Sequence, residues 1–414
     1  MTSTRTVLAA AIALLALHAQ SGAQNLRPFS ISATQTVTYE SNVAKAVAGS
    51  ETSDTVSNTG LRVGLDQPIG RQRLFGSVGA SYNKYSSASR LDNTSYGVNA
   101  GLDWATIENI SGRIEASGSQ NRADPNPGDA PLLSGKNLER AHSASALARL
   151  GIPGTSTLVI EGSVNRRGVE YSAPEFAYRE STTDGGGANL RYRISGATHV
   201  GTGFVVERTR YPNAIQISPG VFTSDNSDTQ RVDLTASWQP TGASSFDARL
   251  SYTKAEFGIA TARNFSGATG ALSWTWKPTG LVTLTTAFAR DAGQEQLFRR
   301  LLTDQTLNVT DTSRVSDSVR LSGIWDATAK IQVMAGLGYL RRTLVDTLAI
   351  GGAGVGALTS NDSQTEATLG ARWMPTRILS FGCDLARITR TAASGLSSAY
   401  DSDRFGCFGR VSLD

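Results

Sequence analysis

Apolar and polar residues alternate with a period of two through most of this chain. In Arg231 to Gln239 one set is Val232, Leu234, Ala236 and Trp238. The other set is Arg231, Asp233, Thr235, Ser237 and Gln239. Phe246, Ala248, Leu250 and Tyr252 alternate in the same way with Asp247, Arg249, Ser251 and Thr253. Val282, Leu284, Thr286 and Phe288 mark another such run, as do Ile331, Val333, Ala335, Leu337 and Tyr339. A two-residue period places successive side chains on opposite faces of a strand. The expected class is therefore all-β.

The connections between these runs alternate in length. Short turns are expected near 67–72, 106–110, 152–156, 195–198, 240–244, 277–280, 326–330 and 374–377. Long polar loops are expected near 41–56, 86–92, 122–138, 170–182, 211–228, 258–262, 291–313, 344–362 and 391–400. One strand on each side of every connection gives about 18 antiparallel strands, with 16–18 as the range. Short turns at one end and long loops at the other are the asymmetry of an outer-membrane barrel.

All six tryptophans fall at the end of an alternating run, just before a short turn. They are Trp104, Trp238, Trp274, Trp276, Trp325 and Trp373. Indole rings favour the boundary between hydrocarbon and water. A belt of them at one end of many strands is the aromatic girdle that a membrane barrel requires. Trp-x-Pro-Thr recurs at Trp238, Trp276 and Trp373, where Pro suits a tight turn that needs no ladder hydrogen bond.

Composition adds a route to the membrane. Arg5 is followed by an apolar run from Val7 to Leu17, too short to span a bilayer as a helix, and by small residues at Ser21, Gly22 and Ala23. Residues 1–23 read as a secretory signal peptide. Residues 24–414 read as one transmembrane β-barrel domain, because no linker or composition shift divides them. The net charge is only +4 and no basic run is interleaved with aromatics, so nucleic acid is a poor partner. The two cysteines, Cys383 and Cys407, lie symmetrically about residue 395. In a symmetric hairpin they would face each other and could bridge in an oxidising compartment; two reduced, buried thiols are the alternative.

Parity assigns the charged residues of the lumen. The arginines are Arg62, Arg113, Arg149, Arg167, Arg191, Arg193, Arg231, Arg249, Arg320, Arg372, Arg404 and Arg410. The acids are Glu115, Glu161, Glu207, Asp233, Asp247, Glu366 and Asp384. Guanidinium forks suit carboxylates, phosphates and sugar hydroxyls, so these arginines are solute candidates. The plainer reading is that arginines and acids pair across the wall. Asp233 and Arg249 are expected directly opposite each other across the turn near 241.

Catalytic signals are thin. His142 and His199 have no acidic neighbour or nucleophile at a recognisable spacing, so no enzymatic activity, metal or cofactor is expected. Asp124 to Asp129 lacks the ligand spacing of a calcium loop. Gly351 to Gly356 precedes no helix and so is not a nucleotide cradle; a lid over the pore is the alternative.

The first strand, Phe29 to Asn42, ends in an aromatic–acid–x–Asn step. With the regular hairpins and the late cysteine in Phe405 to Leu413, it resembles the EpsL-type exopolysaccharide-operon outer-membrane proteins, the β-barrel porin 2 family. The resemblance implies a passive conduit for a secreted polysaccharide or similar polar polymer, with outer-membrane lipid and periplasmic polysaccharide-export components as partners. It supplies no catalytic residues. A general small-solute porin and a structural or adhesive surface barrel are the alternatives.

Overall fold

The computed structural model describes residues 28–413, apart from 108, 124–135, 219–220, 293–312, 350–354, 393–396 and 398. The signal peptide read over 1–23 and nearly all of the 291–313 loop lie outside the described residues. So do most of the acidic loop at Asp124 to Asp129 and the first part of the glycine run at Gly351 to Gly356.

The chain forms a single antiparallel sheet of 18 strands that closes on itself. The first six are β1 (Phe29–Glu40), β2 (Asp54–Ile69), β3 (Gln72–Tyr85), β4 (Asn93–Ala105), β5 (Ile110–Arg122) and β6 (Leu138–Leu150). Then come β7 (Leu158–Tyr171), β8 (Ser181–Ser195), β9 (Thr198–Ser218), β10 (Val221–Thr241), β11 (Ser244–Phe257) and β12 (Phe265–Thr279). The wall is completed by β13 (Val282–Asp291), β14 (Ser313–Thr328), β15 (Ile331–Ala349), β16 (Val355–Trp373), β17 (Leu379–Ala392) and β18 (Tyr400–Leu413). Each strand pairs with its sequence neighbour, and β1 pairs with β18 from Ile31–Leu413 to Glu40–Arg404. Closure satisfies every edge, the condition for strands to stand in hydrocarbon. Even the shortest strand, β13, has 10 residues, and a tilted strand needs about 9–11 to cross a bilayer.

The two faces differ as the alternation requires. Below the loop-end rim one face is mostly apolar and uncovered: Ile160 and Val164 on β7, Leu190 and Tyr192 on β8, Phe204 and Val206 on β9, Val232 and Leu234 on β10. The opposite face carries Ser, Thr, Asn and charged groups that bond one another, sometimes past the adjacent strand, as Arg249 on β11 does with Asp291 on β13. A hydrocarbon exterior and a polar lumen account for both faces.

The indoles share the outward face at the short-turn end. Trp238 stacks on Phe246 (5.5 Å between ring centres), Phe246 on Trp274 (5.7 Å) and Trp274 on Trp276 (5.9 Å), so aromatics run unbroken across β10, β11 and β12. Trp373 packs on Phe381. Gly112 sits against the Trp104 ring, where any Cβ would lie within 2.5 Å of the indole. Gly70 adopts φ of +63° in the tight turn after β2, a conformation that favours glycine.

Two expectations about the connections are corrected. The described residues of 211–228 and 344–362 are strand, not loop. Strands β9 and β10 continue as a paired ribbon to Ser218 and Val221, and β15 and β16 continue to Ala349 and Val355. Backbone pairing alone carries the two ladders past the end of the wall. The Asp233–Arg249 register is also corrected: Asp233 pairs with Ser251, and Arg249 with Thr235. The two charges meet diagonally, at 3.6 Å.

Candidate functional site

The mouth at the loop end is built by buried polar anchors. Asn42, at the end of β1, is fully buried; its amide nitrogen donates to the carbonyls of Ala46 and Asp401. Arg122 on β5 donates to the Val43 carbonyl and to the Tyr85 hydroxyl, both at 2.7 Å, and so ties down the segment between β1 and β2. Asp54 accepts the backbone N–H groups of Ser86, Ser87 and Ala88, which shapes the turn after β3. Asp225 does the same for Ile259 and Ala260 after β11. Arg263 then lies over the rings of Tyr211 and Phe257. Phe176, in the 3-10 turn Pro174–Arg179, is buried against Tyr171. Strand β15 touches β9 and the Thr261–Arg263 turn, neither of which is its sheet neighbour. The mouth is therefore narrowed by ordered chain drawn in from several sides.

The inner wall carries two kinds of arginine. All twelve arginines named from parity stand on the face opposite the indoles. Seven of them pair with carboxylates, as the wall-pairing reading expects. Arg113 holds Asp103, Arg149 holds Glu161 at 2.7 Å, and Arg191 reaches the same Glu161 at 3.9 Å. Arg320 pairs with Glu366 and Arg404 with Asp384. Arg231, Asp233, Arg249 and Asp291 form one connected group across β10, β11 and β13. Arg167 is also engaged by neighbours.

The others differ. Arg62 on β2 donates to the Ser77 hydroxyl, Arg410 on β18 to Thr34 Oγ1, and Arg193 on β8 to the Gly154 carbonyl. Arg372 on β16 leaves its buried Nε without a hydrogen-bond partner. No carboxylate pairs with Arg62, Arg372 or Arg410 among the described residues. All three lie in the short-turn half of the wall, on β16, β18 and β2, each within two strands of the β1–β18 seam. In an 18-stranded ring β9 and β10 stand opposite that seam. There a cavity of about 490 Å³ opens on the inner wall, lined by Asn189, Arg191, His199, Thr235, Asp247 and Arg249 among others. Asn189 Oδ1 is buried there without a protein partner. Two polar walls, both rich in guanidinium, thus face each other across the lumen. His199 lies in that cavity, whereas His142 stands on the outward face opposite Gly168.

Several inner-wall charges were missed by parity. Arg73 and Asp66 pair with each other, Arg73 also reaches Asp103, and Arg342 holds Asp362 with almost no exposure. Arg341 and Arg342 are consecutive, so one must face outward, and the alternation alone does not say which. Cys383 and Cys407 are directly paired across β17 and β18 and joined by a disulfide, on the outward face between the Phe381 and Leu385 rows.

No family model matches the chain, and no curated protein does. Many solved structures match in fold. OccK2 (OpdF) of Pseudomonas aeruginosa, solved in complex with glucuronate, is similar at 14% identity and a TM-score of 0.50; the match covers 94% of this chain and 98% of that one. A second structure of OccK2 (OpdF) gives the same identity and TM-score, over 93% of this chain and 97% of that one. The FrpB iron transporter of Neisseria meningitidis (F5-1 variant, apoprotein form) is similar at 10% identity and a TM-score of 0.51, over 89% of this chain and 62% of that one. The shared architecture is the closed antiparallel β-barrel of outer-membrane proteins.

Proposed function

We propose that this barrel sits in an outer membrane and is a passive channel for small anionic, hydroxyl-bearing solutes. The observation that carries the reading is the trio Arg62, Arg372 and Arg410, cations on the lumen wall with no carboxylate among the described residues to neutralise them. They face a second polar wall holding Arg191, Arg249 and His199 together with Asp247. Guanidinium groups bind carboxylates in two-pronged geometry and also donate to hydroxyls. A wall so charged raises the local concentration of anions and repels cations. The sugar carboxylate in the OccK2 complex is a solute of the same chemical class. The inward-folded mouth favours small solutes over a wide polymer.

Passage of a secreted polysaccharide, implied by the EpsL-type resemblance, is the second reading. It is favoured by the same arginines, which would suit an acidic polymer equally. Planar-bilayer recordings under a KCl gradient separate the possibilities. Anion preference in the native channel, falling several-fold in R62Q/R372Q/R410Q, supports the proposal. Cation preference, or unchanged selectivity in the triple variant, overturns it. Long-lived blockade by an acidic polysaccharide, with glucuronate leaving the current unaltered, favours the polymer instead.

A further inference from the structure

The outward face changes character abruptly toward the loop end. On β7 the outward positions run Leu158, Ile160, Gly162, Val164 and then Arg166. On β9 they run Val200, Thr202, Phe204, Val206 and then Arg208 and Arg210. Elsewhere around the barrel the same level carries Arg290 with Asp317 and Arg387 with Asp403. Charged side chains on a lipid-facing wall are costly at the bilayer midplane and nearly free at its interface. These rows therefore mark where hydrocarbon gives way to headgroups.

The strands β7 to β10 depart from simple pairing. Register aligns Arg166, Asp184, Arg208 and Asp228 in one alternating row. Their contacts are loose: Arg166–Asp184 is 3.4 Å and Arg208–Asp228 is 3.5 Å, with all four side chains well exposed. One step further out, Arg210 aligns with Thr182 and Asn226. It has no acidic partner among the described residues. Arg166, Arg208 and Arg210 border an outward-facing cavity of about 470 Å³ with Thr182, Asp184, Ser224 and Asn226. Three arginines against Asp184 in the lining and Asp228 beside Arg208 leave a net charge of +1.

We propose that this cavity binds a phosphate group of a phosphorylated glycolipid in the outer leaflet. Arg208 and Arg210, two residues apart on one strand face, present parallel guanidinium groups to the phosphate oxygens. Thr182, Ser224 and Asn226 supply neutral donors for the remaining oxygens and for sugar hydroxyls. Arg166 closes the near side, at the level where the sugar of such a lipid meets its acyl chains. The apolar residues directly below, Val164 and Val206, are uncovered and offer those chains a surface. A free phosphate ion would gain only the upper half of this arrangement. The inference rests on the outer-membrane placement proposed above, but not on the identity of the solute in the lumen.

The test uses the mature barrel refolded in zwitterionic detergent micelles. Binding of bisphosphorylated lipid A is measured by native mass spectrometry and by tryptophan fluorescence titration. Saturable binding is expected, at least tenfold weaker in R208Q/R210Q and weakened further in R166Q/R208Q/R210Q. Heat-modifiable gel mobility shows that each variant is folded, and R387Q, on β17 at the far side of the barrel, should bind as the native protein does. Equal binding by the triple variant, equal binding of dephosphorylated lipid A, or full competition by millimolar inorganic phosphate overturns the site. A native chain that fails to insert into lipid at all overturns the membrane placement instead, so the two failures are distinguishable.

Discussion

Removing Asp233 tests whether the lumen charges hold the wall together. Its carboxylate accepts Arg231 Nε at 2.9 Å and the Ser251 hydroxyl at 2.6 Å, and Arg249 Nη1 stands 3.6 Å away. The three charged side chains are each 11% exposed or less. Asp233→Ala leaves two guanidinium groups in a confined site with one carboxylate, Asp291, 3.4 Å from Arg249. Orphaning a buried charge costs roughly 3–5 kcal/mol. Because Asp291 remains, the lower end applies, about 3 kcal/mol. The control is Asp184→Ala on the outward face, where the pair with Arg166 is exposed by more than half on both sides. An exposed pair contributes about 0–1 kcal/mol. Guanidinium unfolding in phospholipid vesicles, followed by tryptophan fluorescence, gives both numbers. Equal losses in the two variants, or a loss below about 1 kcal/mol for Asp233→Ala, would refute the claim that this network is structural.

Two further outcomes follow from the same geometry. Replacing Cys383 and Cys407 by serine should lower the unfolding midpoint. The chain-entropy ceiling for a bridge closing a 24-residue separation is about 3.5 kcal/mol, and the effect should fall well under it because the β17–β18 ladder already holds the hairpin; an unchanged midpoint counts against the bridge. Arg122→Ala should free the segment between β1 and β2, raising the rate of tryptic cleavage at Lys45 and the noise of the single-channel current. Identical digestion kinetics would show that the two hydrogen bonds from Arg122 do not restrain that segment.

The wall was readable in the sequence because one side of every strand must dissolve in hydrocarbon. That demand writes Val232, Leu234, Ala236 and Trp238 against Asp233 and Thr235, and it identifies the face of each arginine on the alternating runs. Where the chain leaves the bilayer the demand lapses. The ribbons beyond Tyr211 and Leu344 are paired strands that lack the long apolar–polar alternation of the wall, so they read as loops. The folding of the mouth depends on single anchors such as Asn42, Asp54 and Asp225, whose partners are backbone groups far away in sequence; nothing local announces them. Parity also says which side a charge occupies but not its offset from a partner. Asp233 and Arg249 accordingly meet on the diagonal rather than face to face. Parity leaves the outward arginines at 166, 208 and 210 off the lumen wall, but it does not show that register aligns them across β7 to β10.

The join between β1 and β18 has a consequence for assembly. It brings together the two strands most remote from each other along the polypeptide, and every other pairing is between immediate neighbours. A partly assembled wall therefore keeps two raw margins, at Phe29–Glu40 and at the leading hairpin, until the Tyr400–Leu413 segment docks. Hairpins can accumulate one by one, but sealing is a single late event. Clipping that final segment would leave a sheet with exposed backbone on both flanks, prone to stick to its own kind rather than to rest in a bilayer.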